Sequence, residues 1–298
     1  MTASFMLALP SAIRKEKYMQ EKKQTAGKTL EEMNLLDDFL FGTMVAYPEI
    51  GERFVKILLK TIFGREFRHL SVTAQKVLYG ADSNLHGARL DVYIDPEIED
   101  SEGKAVVYDI EPDLKDNTAD KKALPRRVRF YHGKIAARSL ASGADYDTLK
   151  DVIVIMLTPY DPFGQNRMVY TITNKCIELP EMEYDDGART LFLCTRGTDG
   201  VPSEAVRQLL HYMEHTTPEN AVNEELREIH RMVETVKKDK EVGGMRIQIV
   251  DELIKLSEEN ARQAEVITNQ AEENIRLKEE IAKLQGALNQ KTQPVKTQ

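Results

Sequence analysis

The chain has 298 residues, 41 % hydrophobic and 30 % charged, enough for one good-sized core plus an appendage. Its formal net charge of −8 excludes a generally basic nucleic-acid coat, so any contact with nucleic acid must be local. Two cysteines, Cys176 and Cys194, without metal-type spacing, exclude a disulfide framework, and no apolar run approaches a membrane span, so a cytoplasmic protein without membrane contact is expected.

Residues 1–28 read as a disordered tail, because Gln20 to Lys28 has almost nothing to bury. Its apolar residues precede its basic ones, the reverse of a secretory signal. Over residues 30–63 apolar side chains recur at helical spacing, and Pro48 is expected to open a second helix after a break at Tyr47. Asp38 reads first as a cap or first-turn charge of this stretch, and reach towards a distant site is the alternative. Leu70 to Tyr79 is the first predicted strand, closed by Gly80.

Two short strands follow. Leu90, Val92 and Ile94 alternate with Asp91 and Tyr93, and Val106, Tyr108 and Ile110 alternate with Val107, Asp109 and Glu111. The acidic segment Asp95 to Gly103 joins them as a turn. Antiparallel pairing brings Asp91 and Glu111 side by side, two hard oxygen ligands suited to a divalent cation such as Mg²⁺. The bland alternative is an acidic, solvated hairpin face.

The next helix, from about Lys121 to Leu140, carries Lys121, Lys122, Arg126, Arg127, Arg129, Lys134 and Arg138 with no acid after Asp120. Seven positive charges in eighteen residues of a net-acidic chain form a local field that a phosphate backbone would feel. Charge runs are more commonly a solvated helix face. Asp151 to Leu157 is a continuous apolar run, the mark of a central strand covered on both faces. Met168 to Ile172 and Thr190 to Cys194 read as further strands separated by the acidic loop Glu178 to Gly187. Strand, basic helix and buried strand in that order make a crossover, so a mixed α/β sheet is expected over residues 30–200.

Residues 203–242 are expected to be a helical connector. Within them His211, Glu214 and His215 have the spacing of inverted zinc peptidases, but no third ligand or shaped cavity accompanies them. Gly243-Gly244 reads as a hinge. Residues 246–290 then hold six heptads, with Arg246, Leu253, Asn260, Ile267, Asn274, Ile281 and Leu288 at a and Ile249, Leu256, Gln263, Gln270, Leu277 and Leu284 at d. This predicts a coiled coil and a homodimer, with the two asparagines favouring a parallel register. A long single helix is the alternative.

The ordered motifs Asp38-Phe39-Leu40-Phe41, Arg89-Leu90-Asp91-Val92, Tyr108-Asp109-Ile110-Glu111 and Leu124-Pro125-x-Arg127-x-Arg129-x-Tyr131 resemble the PD-(D/E)XK nuclease family of transposase-like, recombination-promoting nucleases. The resemblance covers roughly residues 34–200. It implies a restriction-endonuclease-like core and Mg²⁺-dependent cleavage of DNA phosphodiesters, with Mn²⁺ as a substitute. It also implies that Asp91 and Glu111 hold the ion with the Pro112 carbonyl. Asp113 stands where the family has a Lys or Gln that orients water. In this reading Asp113 is a further ligand, Lys115 a replacement cation, and Lys121, Lys122, Arg126, Arg127 and Arg129 the contacts to DNA. The competing expectation is a catalytically degenerate DNA-binding or scaffolding protein that dimerises through its coiled coil. A weaker third is a coiled-coil interaction protein with a structural head.

Overall fold

The computed structural model describes residues 28–67, 70–78, 88–95 and 105–291. The expected N-terminal tail and most of the acidic turn after Asp95 lie outside these residues. The chain divides into two compact units, one spanning Thr29–Arg246 and one containing the C-terminal helix from Ile247.

The first unit is built on a six-stranded mixed sheet. Its strands are β1 (Ser71–Leu78), β2 (Ala88–Asp95), β3 (Val106–Pro112), β4 (Asp151–Thr158), β5 (Val169–Thr173) and β6 (Ala188–Cys194), in the spatial order β1-β2-β3-β4-β6-β5. β1, β2 and β3 form an antiparallel meander, β3 runs parallel to β4 and β4 parallel to β6, and β5 closes the edge antiparallel to β6. The β3-to-β4 crossover is helix α3 (Thr118–Ser139). The run Val152 to Leu157 is buried throughout, as a central strand covered on both faces requires.

Helices cover both faces. On one, Leu124, Val128 and Ile135 of α3 pack with Val107, Val152, Val154 and Met156. On the other lie α1 (Asp38–Ala46), α2 (Gly51–Phe63), α4 (Glu204–Glu214) and α5 (Glu224–Lys238), whose apolar side chains join Val106, Tyr108, Ile110, Ile153 and Ile155 in one core. Residues 203–242, expected as a connector, therefore belong to the globular unit: Leu209, Leu210, Tyr212, Ile229 and Val233 are fully buried. The helical spacing of these residues gives α4 and α5 an apolar stripe that can only be hidden against the sheet's helical layer.

The α1–α2 corner is a backbone contact. Gly51 donates to the Tyr47 carbonyl at 2.9 Å, and a Cβ at position 51 would sit 2.0 Å from the Val45 carbonyl oxygen, where no side chain fits.

Helix α6 (Lys240–Lys291) begins directly after Asp239 and runs unbroken through Gly243-Gly244, so the chain bends before the glycines rather than at them. Asp239 supplies the stop by accepting from the Glu241 N–H at 2.7 Å. Arg246, expected at the first a position of the heptads, is instead buried in the globular unit, its guanidinium 5.6 Å from the Phe39 ring centroid. Among the described residues no helix is long and apolar enough to cross a membrane.

Candidate metal and phosphate site

The β2–β3 register pairs Val92 with Ile110 and Tyr93 with Asp109, so the next step of the same ladder sets Asp91 beside Glu111. Asp91 donates its backbone N–H to Glu111 Oε1 at 2.7 Å. Glu111 is 5 % exposed and Asp109 fully buried, because α3 lies over this face of the sheet. For these two carboxyls the solvated-face alternative therefore fails. Among the described residues the buried oxygens of Asp109 face no donor beyond the Glu111 carboxyl on the same face.

Burial pushes the Glu111 carboxyl up to about 8, reinforced by the negative charge of Asp91 and opposed by the Asp91 N–H, by Asp109 and by the Arg127 guanidinium. Burial, then Glu111, then Asp91 hold Asp109 well above the usual carboxylate range. Asp38, the first residue of α1, joins the same field. Its side chain is accessible to solvent but set in crowded surroundings, and burial together with Asp91 and Asp113 raises it to about 6, with Lys115 opposing. The first-turn charge and the reach to the site are thus the same residue. Its approach is a long-range packing result, α1 lying against β1 and β2, and no local pattern announces it.

Asp113 has its oxygens engaged. Arg127 Nη2 and the Tyr160 hydroxyl both donate to Oδ2, Tyr160 at 2.8 Å, and the Lys115 backbone N–H donates to Oδ1 at 3.2 Å. The Asp113 N–H in turn bonds the Leu157 carbonyl at 2.8 Å, fixing the residue just past β3. Burial works against the Arg127 charge, but Asp113, Tyr131 and Glu111 together raise its pKa. Arg127 follows Leu124 by three positions and precedes Tyr131 by four, so it lies on the border of the buried stripe of α3 and points into the site.

The remaining basic residues divide. Lys121 pairs with Asp116 and lies 4.8 Å from the Tyr160 ring centroid. Lys122, Arg126 and Arg129 are exposed and have no ion-pair partner among the described residues. The Lys115 side chain is exposed beside Asp38. Pro112 ends β3, paired with Leu157.

Among the described residues no three His, Cys, Asp or Glu side chains form a group that could hold a metal ion on their own. Mg²⁺ does not need three: it keeps several waters and is bound through one or two carboxylates together with substrate phosphates. Two adjacent carboxyls on a strand pair, with the buried Asp109 carboxyl on the same face, match such an ion in chemistry.

The His211, Glu214 and His215 triplet is otherwise employed. Glu214 accepts from Thr195 and Arg196 at 2.5 Å each, and His211 meets Asn220 at 3.2 Å. Cys194 is buried, which pushes its thiol up to about 11, and Cys176 is half-buried. Compared with known protein families, curated proteins and solved structures, the chain shows no match.

Proposed function

We propose that the Thr29–Arg246 unit is a Mg²⁺-dependent DNA endonuclease of the PD-(D/E)XK, transposase-like type, with a restriction-endonuclease-like core. The observation that carries this reading is the convergence of the Asp91, Glu111 and Asp109 carboxyls on one covered strand pair, where a cation would favour the charged forms that burial disfavours. The six-stranded mixed sheet with helices on both faces is compatible with that core.

When bound, Mg²⁺ or Mn²⁺ supplies a water of lowered pKa and neutralises charge on the phosphate. Asp91 and Glu111 would hold the ion, with the Pro112 carbonyl at the end of the strand that carries Glu111. Asp113, spent on Arg127 and Tyr160, positions the guanidinium rather than the metal. Arg127 and Lys115 are the cations beside the site that can steady phosphate oxygens. Lys122, Arg126 and Arg129 extend that field along α3 to the flanking backbone. A second copy, joined through the exposed stripe of α6, brings a second site for the other strand.

One observation favours a second reading, a catalytically degenerate DNA-binding or scaffolding protein. Asp113 stands where the resemblance puts Lys or Gln, and no other side chain there carries that role by position. Nicking and linearisation of supercoiled plasmid in Mg²⁺ and in Mn²⁺, beside Asp91→Ala and Glu111→Ala, separates the two. Cleavage abolished in both variants is the expected result; no cleavage by the parent transfers the proposal to the binding protein.

Binding has its own test in the exposed arginines. Arg126→Glu with Arg129→Glu is expected to weaken duplex binding at least about tenfold at low salt. The same change should flatten the plot of log affinity against log salt by about 0.9 for each phosphate that the helix no longer neutralises. Fluorescence anisotropy of a labelled duplex measures both effects, and unchanged affinity removes this face of α3 from the interface.

A further inference from the structure

We infer that α6 pairs with α6 of a second copy as a parallel, in-register, two-stranded coil whose seam runs from Ile249 to Leu284. The inference rests on the dimer reading above and adds the seam's limits and the charge pairing that selects its direction. Ile249, Leu253, Leu256, Ile267, Leu277 and Ile281 fall on the a and d positions and are 39–65 % exposed, an apolar stripe along one helix interrupted in its middle by Asn260, Gln263, Gln270 and Asn274. A helix with such a stripe at a seven-residue repeat hides it best against an identical stripe. The seam starts at Ile249 because Arg246 is taken up beside Phe39.

Charge selects the direction. Four of the g positions are glutamates, Glu252, Glu259, Glu273 and Glu280, whereas the e positions Val250, Ser257, Ala264, Ala271, Lys278 and Gln285 include no acid. In a parallel pair each g position faces an e position of the other helix, so Glu273 meets Lys278 of the partner subunit and no like charges oppose. In an antiparallel pair g faces g, and glutamates stack against glutamates.

Polar seam residues select the register. With the helices in register, Asn260, Gln263, Gln270 and Asn274 each meet their own copy and hydrogen-bond across the seam. A slip of one heptad sets Asn260 against Ile267 and Asn274 against Ile281, burying amides on apolar side chains.

Two measurements on the full chain test this. Light scattering is expected to give twice the 33.9 kDa chain mass at micromolar concentration. Leu256→Cys and Leu284→Cys, made separately in a Cys176→Ser background, are each expected to form a disulfide-linked dimer alone on mild oxidation. A monomer mass, a mass of three or more chains, or cross-linking only when the two cysteine variants are mixed overturns the inference. The mass is read on the unsubstituted chain, so weakened pairing in a cysteine variant does not mask it. Neither readout involves cleavage: a monomer that cuts DNA refutes the pairing alone, and a parallel dimer that does not cut refutes the nuclease reading alone.

Discussion

Glu111→Gln is expected to abolish cleavage and, in the same protein without divalent ions, to raise the melting temperature at pH 9. Glutamine keeps an oxygen for the Asp91 N–H and removes the charge that burial and Asp91 disfavour. In the folded chain the Glu111 carboxyl titrates at about 8, against 4.5 for a free glutamate. Between these values the folded state holds a proton that the unfolded state has released. Stability therefore falls as pH rises from about 4.5 to about 8 and stays low above it. The gap amounts to a few kcal/mol, to order of magnitude, or roughly 5–10 °C in melting temperature for a unit of this size. At pH 4 parent and variant should melt together. Mg²⁺ reverses the sign, stabilising the parent at pH 8 to 9 and leaving the variant unmoved. The cation's electrostatic help is worth several kcal/mol, so cleavage should drop on the order of 10³-fold or more. A glutamine variant that melts with the parent at pH 9, or that still cleaves, refutes this account of Glu111.

Asp113→Ala is expected to destabilise the fold by about 3 kcal/mol, the low end for breaking a buried ion pair because Arg127 retains some exposure to water. Alanine leaves the guanidinium without its counter-ion and the Tyr160 hydroxyl without an acceptor. Asp113→Lys should be worse, since it sets a second cation against Arg127; it is not expected to create activity, although the resemblance puts a Lys there. Asp113→Asn keeps an acceptor for Tyr160 and should fall between. Chemical denaturation with a constant slope measures all three, and an alanine variant as stable as the parent would show that the pair contributes nothing to the fold.

The hairpin is legible in the sequence because its alternation has period two: with Asp91 and Glu111 on opposite arms, an antiparallel ladder leaves few registers that bury Val92, Ile94, Tyr108 and Ile110 together. The central strand and the basic helix are legible for similar reasons, an apolar run too short for a helix and a basic run with no acid after Asp120. Depth is not. Alternation says that Asp109 and Glu111 share a face, but whether water or α3 covers it depends on Leu124, Val128 and Ile135, 13 to 26 residues further along the chain. The difference between Arg127 and its neighbours Arg126 and Arg129 follows from the 3.6-residue period and lies hidden in a run of like charges. Residues 203–242 read as a connector because their many charges outweigh, in number, the regularly spaced apolar positions that fix them to the core.

The close approach of Gly51 to the Val45 carbonyl has a consequence for how this protein tolerates change. Asp38 is carried into the acidic field by α1, and the angle of α1 is set where two main chains touch, without intervening side chains. Position 51 therefore has no latitude, and a single methyl there displaces an acidic group that it never touches.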